Sequence, residues 1–267
     1  MITAVHVPDS LADVTTFAAG GGRIMGGGTV VMAEVNTGLV TAPELVSLRR
    51  AGVSGIAIDG RMARVGATTT FADLEGCPGL EFLHAAVRTI ASPQIRNQAT
   101  AGGNLFVRQP YGDFAVCLLA LDATVEITGP GGPRQAPVLD VLTEGVARGE
   151  FVTAMLLPVP AAGTWFYHKA MRRKLNSAAI VTVAAVVEVT GGIVTSARIA
   201  LGGMARRPVR AASAERVLIG RALERDVLDE AGRAAVQADV EPFDDAYASA
   251  WYRRRVLPVH LRRALLG

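Results

Sequence analysis

The sequence has little cysteine, with Cys77 and Cys117 as its two thiols. They are too few and too far apart to form a zinc or iron–sulfur site within this chain. They also give no support to a disulfide framework, so we expect a reducing, cytoplasmic location. The histidines are dispersed, and each is expected to be a surface or capping residue: His6, His84, His168 and His260. No catalytic triad and no metal site is predicted.

Lysine is also scarce, since it occurs only at Lys169 and Lys174, and arginine supplies nearly all of the positive charge. The 27 basic and 24 acidic residues leave a formal net charge of +3. A balance this small gives no indication of nucleic-acid binding.

Long hydrophobic runs are absent as well. The longest apolar stretch, residues 178–187, is interrupted by Thr182 and is far shorter than the ~20 residues that span a bilayer. It is interpreted as a buried strand. The N-terminus lacks a basic segment followed by an apolar one, so no secretory signal is expected. With 50% hydrophobic and 19% charged residues, the chain has a globular composition and can bury a core.

Glycine is plentiful and falls at two informative places. A predicted strand, residues 23–25, runs into Gly26-Gly27-Gly28-Thr29, and a second turn contains Gly102-Gly103-Asn104. Backbone amides bind phosphate where no side chain blocks the approach. Two such turns converging on one pyrophosphate would make a dinucleotide site, although either turn alone is equally a tight turn.

Two common nucleotide motifs are excluded. Met25 or Val31 stands where the Rossmann G-x-G-x-x-G pattern needs its third glycine. Gly28 stands where a Walker A loop needs its lysine, so we reject ATP or GTP hydrolysis.

The remaining pattern predicts mixed structure. A short helix over residues 9–19, opened by a cap at Asp9-Ser10, and a second helix over residues 79–91 are expected, and Gly191-Gly192 is expected to form a turn between two strands. A turn at residues 129–133 predicts a hairpin tip, and a break at residues 158–163 marks a candidate domain boundary. Beyond it, three antiparallel strands are expected at residues 165–171, 178–189 and 193–201, with helices from residue 211 onward.

Longer motifs carry a family resemblance. Residues 95–104 contain Ile-Arg-Asn, then Thr-Ala-Gly-Gly-Asn, and are followed by Pro110 to Asp113 and by Leu118 to Ala123. This order is similar to the I-R-N-x-x-T-[IL]-G-G-N, P-x-x-D and L-x-A-L-x-A pattern of the flavin-binding medium subunit of the xanthine dehydrogenase and carbon monoxide dehydrogenase family. Further segments resemble the same family in the same order: residues 25–31, 169–184, 199–211 and 252–265. The resemblance covers nearly the whole chain.

The resemblance implies an α+β fold. An FAD-binding domain of the vanillyl-alcohol-oxidase (PCMH) type would occupy residues 1–160, in two α/β subdomains at about 1–53 and 54–160. A small C-terminal domain, residues 161–267, would contain a three-stranded antiparallel sheet and helices.

The resemblance also implies residue roles. One side of the FAD pyrophosphate would be wrapped by Ile24, Met25, Gly26, Gly27, Gly28, Thr29, Val30 and Val31. The other side would be wrapped by Thr100, Ala101, Gly102, Gly103 and Asn104, in which Ala101 replaces the family's usual Ile or Leu. Ile90, Asp113 and Lys169 would add further contacts. Their alternatives are a helix-core residue, a helix N-cap and a solvated strand-end lysine, respectively.

The function implied is that of an oxidoreductase subunit of a molybdenum hydroxylase. FAD would receive electrons from [2Fe–2S] clusters on a small subunit, and a large subunit would hold the molybdopterin cofactor. A dimer of heterotrimers is expected, with NAD, a quinone or O₂ as the acceptor. An arginine-rich C-terminus either docks a partner subunit or forms a solvated helix face: Arg253, Arg254, Arg255, Arg262 and Arg263.

Two other functions stay open. The chain could be a self-sufficient FAD-dependent oxidoreductase, although no acid or serine for substrate chemistry can be identified. It could instead be a non-catalytic flavin-binding or assembly protein, because intact glycine turns do not establish electron flow.

Overall fold

The computed structural model describes residues 2–39, 42–174 and 177–267. These residues form two compact units, and the chain passes between them several times. The first unit comprises Met1–Glu81, Ser92–Val107 and Ala123–Pro158. The second comprises Phe82–Ala91, Arg108–Asp122 and Val159–Gly267.

The strands are β1 (Ala4–His6), β2 (Arg23–Met25), β3 (Glu44–Ser47), β4 (Ile56–Asp59), β5 (Met62–Gly66), β6 (Thr124–Thr128), β7 (Arg134–Pro137), β8 (Phe151–Pro158), β9 (Trp165–Met171), β10 (Ala179–Thr190), β11 (Ile193–Gly202) and β12 (Val209–Arg210). The helices are α1 (Leu11–Ala19), α2 (Val31–Asn36), α3 (Phe71–Glu75), α4 (His84–Arg88), α5 (Pro93–Arg96), α6 (Ala101–Asn104), α7 (Asp113–Ala120), α8 (Val138–Glu144), α9 (Ala212–Leu218), α10 (Arg225–Ala238) and α11 (Ala250–Leu266), with a 3₁₀ turn at Glu81–Leu83.

In the first unit, β1, β3 and β2 form a parallel sheet in that order. Helix α1 packs on β3, where Leu45 and Val46 are buried. Ser10 caps α1 by accepting a hydrogen bond from the Asp13 amide, which confirms the predicted start of this helix. The parallel pairing of β2 with β3 fixes the point at which the first glycine turn leaves the sheet.

The rest of the first unit contains a five-stranded antiparallel sheet in the order β4-β5-β8-β6-β7. The predicted hairpin tip at residues 129–133 joins β6 to β7. Helix α6 contacts both β5 and β8, so the second glycine segment rests against this sheet.

The second unit is built on an antiparallel sheet in the order β12-β11-β10-β9. The three predicted strands are confirmed, and the two-residue strand β12 adds a fourth at the edge. Gly191 and Gly192 join β10 to β11 with positive φ angles of 59° and 82°, a conformation that favours glycine.

Strand β10 explains the long apolar run. One set of its side chains, Val181, Val183, Ala185 and Val187, belongs to the core shared with helices α9, α10 and α11. The other face of β10 contacts helix α7. Because both faces are covered, the strand is apolar on both and does not alternate. No helix among the described residues is long and apolar enough to cross a membrane.

Two sequence predictions need correction. The helix expected over residues 79–91 is a 3₁₀ turn followed by the short helix α4, and Ala91 has a φ of 46°, which a continuing helix does not allow. The second glycine turn is a helical turn, α6, with Thr100 as its N-cap. Strand β1 and helices α2 and α8 were not predicted.

Candidate cofactor site

The first glycine turn, residues 26–31, leads from the end of β2 into α2. Among the described residues, nothing accepts a hydrogen bond from the backbone amides of this loop: Gly26, Gly27, Gly28, Thr29, Val30 and Val31. The loop is half-buried to exposed, so a ligand can reach it. A run of unpaired and accessible amides is the usual arrangement for binding an anion.

The glycines of this loop are needed for close packing. A Cβ on Gly26 would lie 2.5 Å from Thr100 Oγ1, and a Cβ on Gly27 would lie 1.6 Å from the Gln98 carbonyl oxygen. Gly28 has a φ of 73°, in the left-handed region. The two glycine segments therefore converge, as the sequence predicted, because the first loop lies directly against residues 98–100.

The second glycine segment was expected to offer free backbone amides, but its amides already donate hydrogen bonds within the protein. The Ala101 amide donates to the Thr69 carbonyl and the Gly102 amide to the Ala67 carbonyl, each at 2.9 Å. The Gly103 amide donates to Thr100 Oγ1 at 3.3 Å. The Asn104 amide donates to the Thr100 carbonyl at 3.1 Å. Residues 101–104 thus do not provide free amides. Gly102 packs tightly against Ala67, and Thr100, the N-cap of this helical turn, lies directly against Gly26 of the first loop.

An ion pair links the two segments that flank the first glycine loop. Arg23, at the start of β2, pairs with Glu34 in α2. Both side chains are partly exposed, with 37% and 29% of their surface accessible. The pair neutralises the Glu34 carboxylate, which would otherwise repel an anion bound at this loop.

Asp113 and Lys169 form a buried ion pair in the second unit. Lys169 Nζ lies 2.8 Å from Asp113 Oδ2, and each side chain is 3% exposed. Thr182 Oγ1 donates to Asp113 Oδ1 at 2.7 Å, and Lys169 also donates to the Thr89 carbonyl at 3.0 Å. Burial raises the pKa of the Asp113 carboxyl, and the Lys169 and Thr182 contacts oppose that rise.

This geometry corrects the alternatives given for Asp113 and Lys169, a helix N-cap and a solvated lysine. Gly112 occupies the N-cap position of α7, and Asp113 is the first residue of the helix. Lys169 is enclosed and not solvated. Ile90 is 5% exposed and follows α4. Thr182, which interrupts the apolar run, was missed as a partner of Asp113, and a lone hydroxyl in a buried strand was the available signal.

Arg253 was expected to lie on the surface with the other C-terminal arginines, and this prediction is wrong. Its guanidinium is fully buried, pairs with Asp245 at 2.7 Å and donates to the carbonyls of Ala179, Ile180 and Gly203. Those contacts hold α11 to the end of β10, so Arg253 is structural. By contrast, Arg254 and Arg255 are exposed.

The histidines are not all isolated. His168 Nε2 lies 3.0 Å from His260 Nδ1, and the two rings stack with a centroid separation of 5.1 Å. Their pairing across β9 and α11 was not predicted, since the residues are far apart in the sequence. Among the described residues, no group of three or more His, Cys, Asp or Glu side chains is arranged to hold a metal ion.

These features define an α+β protein with an accessible loop whose backbone amides have no partner among the described residues. Residues 1–160 match the FAD binding domain in molybdopterin dehydrogenase, and residues 165–267 match the CO dehydrogenase flavoprotein C-terminal domain. The carbon monoxide dehydrogenase medium chain of Afipia carboxidovorans is 34% identical, over 97% of this chain and 94% of that protein. The putative xanthine dehydrogenase FAD-binding subunit of Escherichia coli is 29% identical over the same shares, 97% and 94%.

A chain in the crystal structure of the Cu,Mo-CO dehydrogenase, in its cyanide-inactivated form, has a TM-score of 0.92 to this structure. It is 32% identical, and the match covers 100% of this chain and 98% of that chain. The protein belongs to the FAD-binding flavoprotein family of the molybdopterin dehydrogenases, which are oxidoreductases. The resemblance inferred from the sequence is confirmed.

Proposed function

We propose that this chain is the FAD-binding electron-transfer subunit of a heterotrimeric molybdenum hydroxylase. When bound, FAD would accept electrons from the [2Fe–2S] clusters of a partner subunit and deliver them to an external acceptor. The observation that carries the proposal is the loop at residues 26–31, whose six backbone amides are unpaired with respect to the described residues. An FAD pyrophosphate carries the negative charge that such amides bind.

The loop would bind the FAD pyrophosphate through its backbone amides, without a charged side chain. Its amides donate to phosphate oxygens, and the glycines leave the approach open at Gly26 to Gly28. Thr29 adds a hydroxyl donor. In this proposal Thr100 to Asn104 support the loop from behind, because their amides are paired within the protein. The assignments of Ile90, Asp113 and Lys169 to the cofactor, and the domain boundary at residues 160/161, stay predictions.

The proposed partners are a large molybdopterin-binding subunit and a small [2Fe–2S] subunit, arranged as a dimer of heterotrimers in the cytoplasm. The relatives support a multi-subunit assembly because they are named as medium chains or subunits. For docking, we propose the exposed pair Arg254 and Arg255 and leave out Arg253, which is buried.

The primary experiment is to purify the chain alone and co-expressed with its proposed partners, and to record the visible spectrum before and after denaturation. Flavin absorbance with release of FAD supports the proposal. A complex that assembles without flavin would contradict it. A chain that binds FAD but never captures a partner would favour the self-sufficient oxidoreductase or the non-catalytic flavin-binding protein.

The docking surface needs its own variants. Arg254→Glu with Arg255→Glu reverses two exposed charges and is expected to reduce co-purification with the partner subunits. Arg233→Glu, which is exposed on α10, is the matched control. Unchanged assembly of the double variant, with its circular dichroism spectrum intact, would remove this surface from the proposal.

A further inference from the structure

A pocket of about 340 Å³ lies within the second unit, beyond the end of β9. It is lined by Arg172, Arg173, Ser177, Ala246 and Tyr247. Its volume is at the lower end of the range of about 300–1,000 Å³ that is common for small-molecule sites. The pocket shares no residue with the amide loop at residues 26–31, so its assignment is independent of the proposed function.

Arg172 gives the pocket its charge. No carboxylate among the described residues pairs with its guanidinium, and its Nη1 donates to the Ala246 carbonyl at 3.0 Å. That hydrogen bond orients the side chain without neutralising it. The remaining N–H groups of an oriented guanidinium form a planar fork that matches carboxylate or phosphate oxygens.

The segment that carries Ala246 and Tyr247 is held in place by its own contacts. Asp245 Oδ1 accepts hydrogen bonds from the amides of Tyr247 and Ala248, at 2.8 and 2.9 Å. Its other oxygen pairs with the buried Arg253. Asp245, which precedes Ala246 in the chain, is therefore engaged by Arg253 and by two backbone amides, and no ion pair joins it to Arg172.

Tyr247 contributes an aromatic ring and a hydroxyl to the lining of the pocket. Its hydroxyl lies 3.0 Å from that of Tyr111, and the rings meet edge to face. This hydrogen bond raises the pKa of Tyr111 to about 12, so the Tyr111 phenol is neutral near pH 7. A neutral phenol can donate to an anion, and the ring offers an apolar surface to its carbon skeleton.

We propose that this pocket binds a small organic anion whose carboxylate or phosphate group pairs with Arg172, with its carbon skeleton against Tyr247. The pocket is preorganised, because the Ala246 carbonyl orients the guanidinium of Arg172 and Asp245 fixes the loop that carries Ala246 and Tyr247. A carboxylate and a phosphate would both pair with a guanidinium in this way, and the experiment below distinguishes between them.

The test is isothermal titration calorimetry on the full chain with succinate and with AMP, and with inorganic phosphate as the anion alone. The expected result is saturable binding of at least one organic anion, weakened tenfold or more in Arg172→Ala and partly restored in Arg172→Lys. Tyr247→Phe is expected to weaken binding less. Preference for succinate or AMP identifies the carboxylate or the phosphate as the recognised group.

Arg233→Ala is the control for general electrostatic attraction, since it removes an exposed arginine of α10. Flavin content of each variant is measured from the visible spectrum. The proposal is overturned if none of the three anions binds, or if Arg172→Ala and Arg233→Ala weaken binding equally. It is also overturned if Arg172→Ala loses flavin and not anion binding, because the pocket would then belong to the flavin site.

Discussion

Two polar regions of this protein are built in opposite ways. The loop at residues 26–31 is accessible, and its six backbone donors have no partner in the part of the chain that the structure describes. The Asp113–Lys169–Thr182 cluster is buried and pairs both carboxylate oxygens and the ammonium within the protein. Unpaired polar groups are tolerated where solvent or a ligand can satisfy them, whereas buried ones must be satisfied internally. The contrast separates a surface that can bind from a cluster that holds the fold.

The largest expected effect is the loss of stability when the Asp113–Lys169–Thr182 cluster is disrupted. Lys169→Met removes the cation and leaves the Asp113 carboxylate buried without its partner, which we expect to lower the free energy of unfolding by about 3–5 kcal/mol. Urea unfolding measures the change, and Lys174→Met, at an exposed position, is the control. Adding Asp113→Asn to the variant is expected to recover part of the loss. A loss below about 1 kcal/mol would show that the pair is not structural.

The same variant should acquire a characteristic pH dependence. Burial already raises the pKa of Asp113, and removing Lys169 removes the largest opposing interaction. A carboxyl whose folded pKa is raised contributes stability that is fully present below its unfolded value of about 3.9 and is lost as the pH rises through the folded value. Lys169→Met should therefore lose stability relative to the wild type as the pH rises beyond the wild-type pKa of Asp113, which already lies above the ordinary carboxyl value. Parallel stability curves would contradict this assignment.

The loop is tested by a pair of glycines with the same backbone conformation. Gly28 and Gly38 have φ angles of 73° and 72°, and Gly38 has open space around its missing side chain. Alanine at either position should cost about 1 kcal/mol of stability through left-handed strain. Only Gly28→Ala should also redirect loop amides, and we expect its FAD dissociation constant to rise about tenfold, or about 1.4 kcal/mol. Equal FAD affinity in the two variants, measured by fluorescence titration, would argue against the loop.

The smallest expected effect concerns the support behind the loop. Thr100→Ala removes the oxygen that accepts from the Gly103 amide and should lower the free energy of unfolding by about 1 kcal/mol. Thr100→Ser keeps the hydroxyl and should retain most of the stability. Thermal unfolding of the two variants separates them. If they are equally stable, the cap does not stabilise α6.

Much of the fold was predictable because its signals are local. The apolar run in β10, the Gly191-Gly192 turn and the Ser10 cap each act over a few residues, and each prediction is confirmed. The family motifs predicted the convergence of the two glycine segments. Local signals failed at α6, where the amides of Ala101 and Gly102 are paired with carbonyls that lie more than thirty residues earlier in the chain.

Local sequence patterns also could not predict which individual charged residues are buried. Arg253 and Arg254 are adjacent and chemically identical, yet only Arg253 faces the carbonyls at the end of β10. The helical rotation of about 100° per residue decides which of them is enclosed. The partners of Asp113 likewise come from β9 and β10, so its pairing depends on how those strands pack against α7.

The most direct test of the central claim is amide hydrogen exchange at single-residue resolution, measured by NMR on the chain with and without FAD. The account predicts that the amides of residues 26–31 exchange rapidly without FAD and become protected when it binds. The amides of residues 101–104, already paired with protein acceptors, should be protected in both states. Stoichiometric FAD binding that leaves residues 26–31 in rapid exchange would contradict the assignment of this loop as the pyrophosphate cradle.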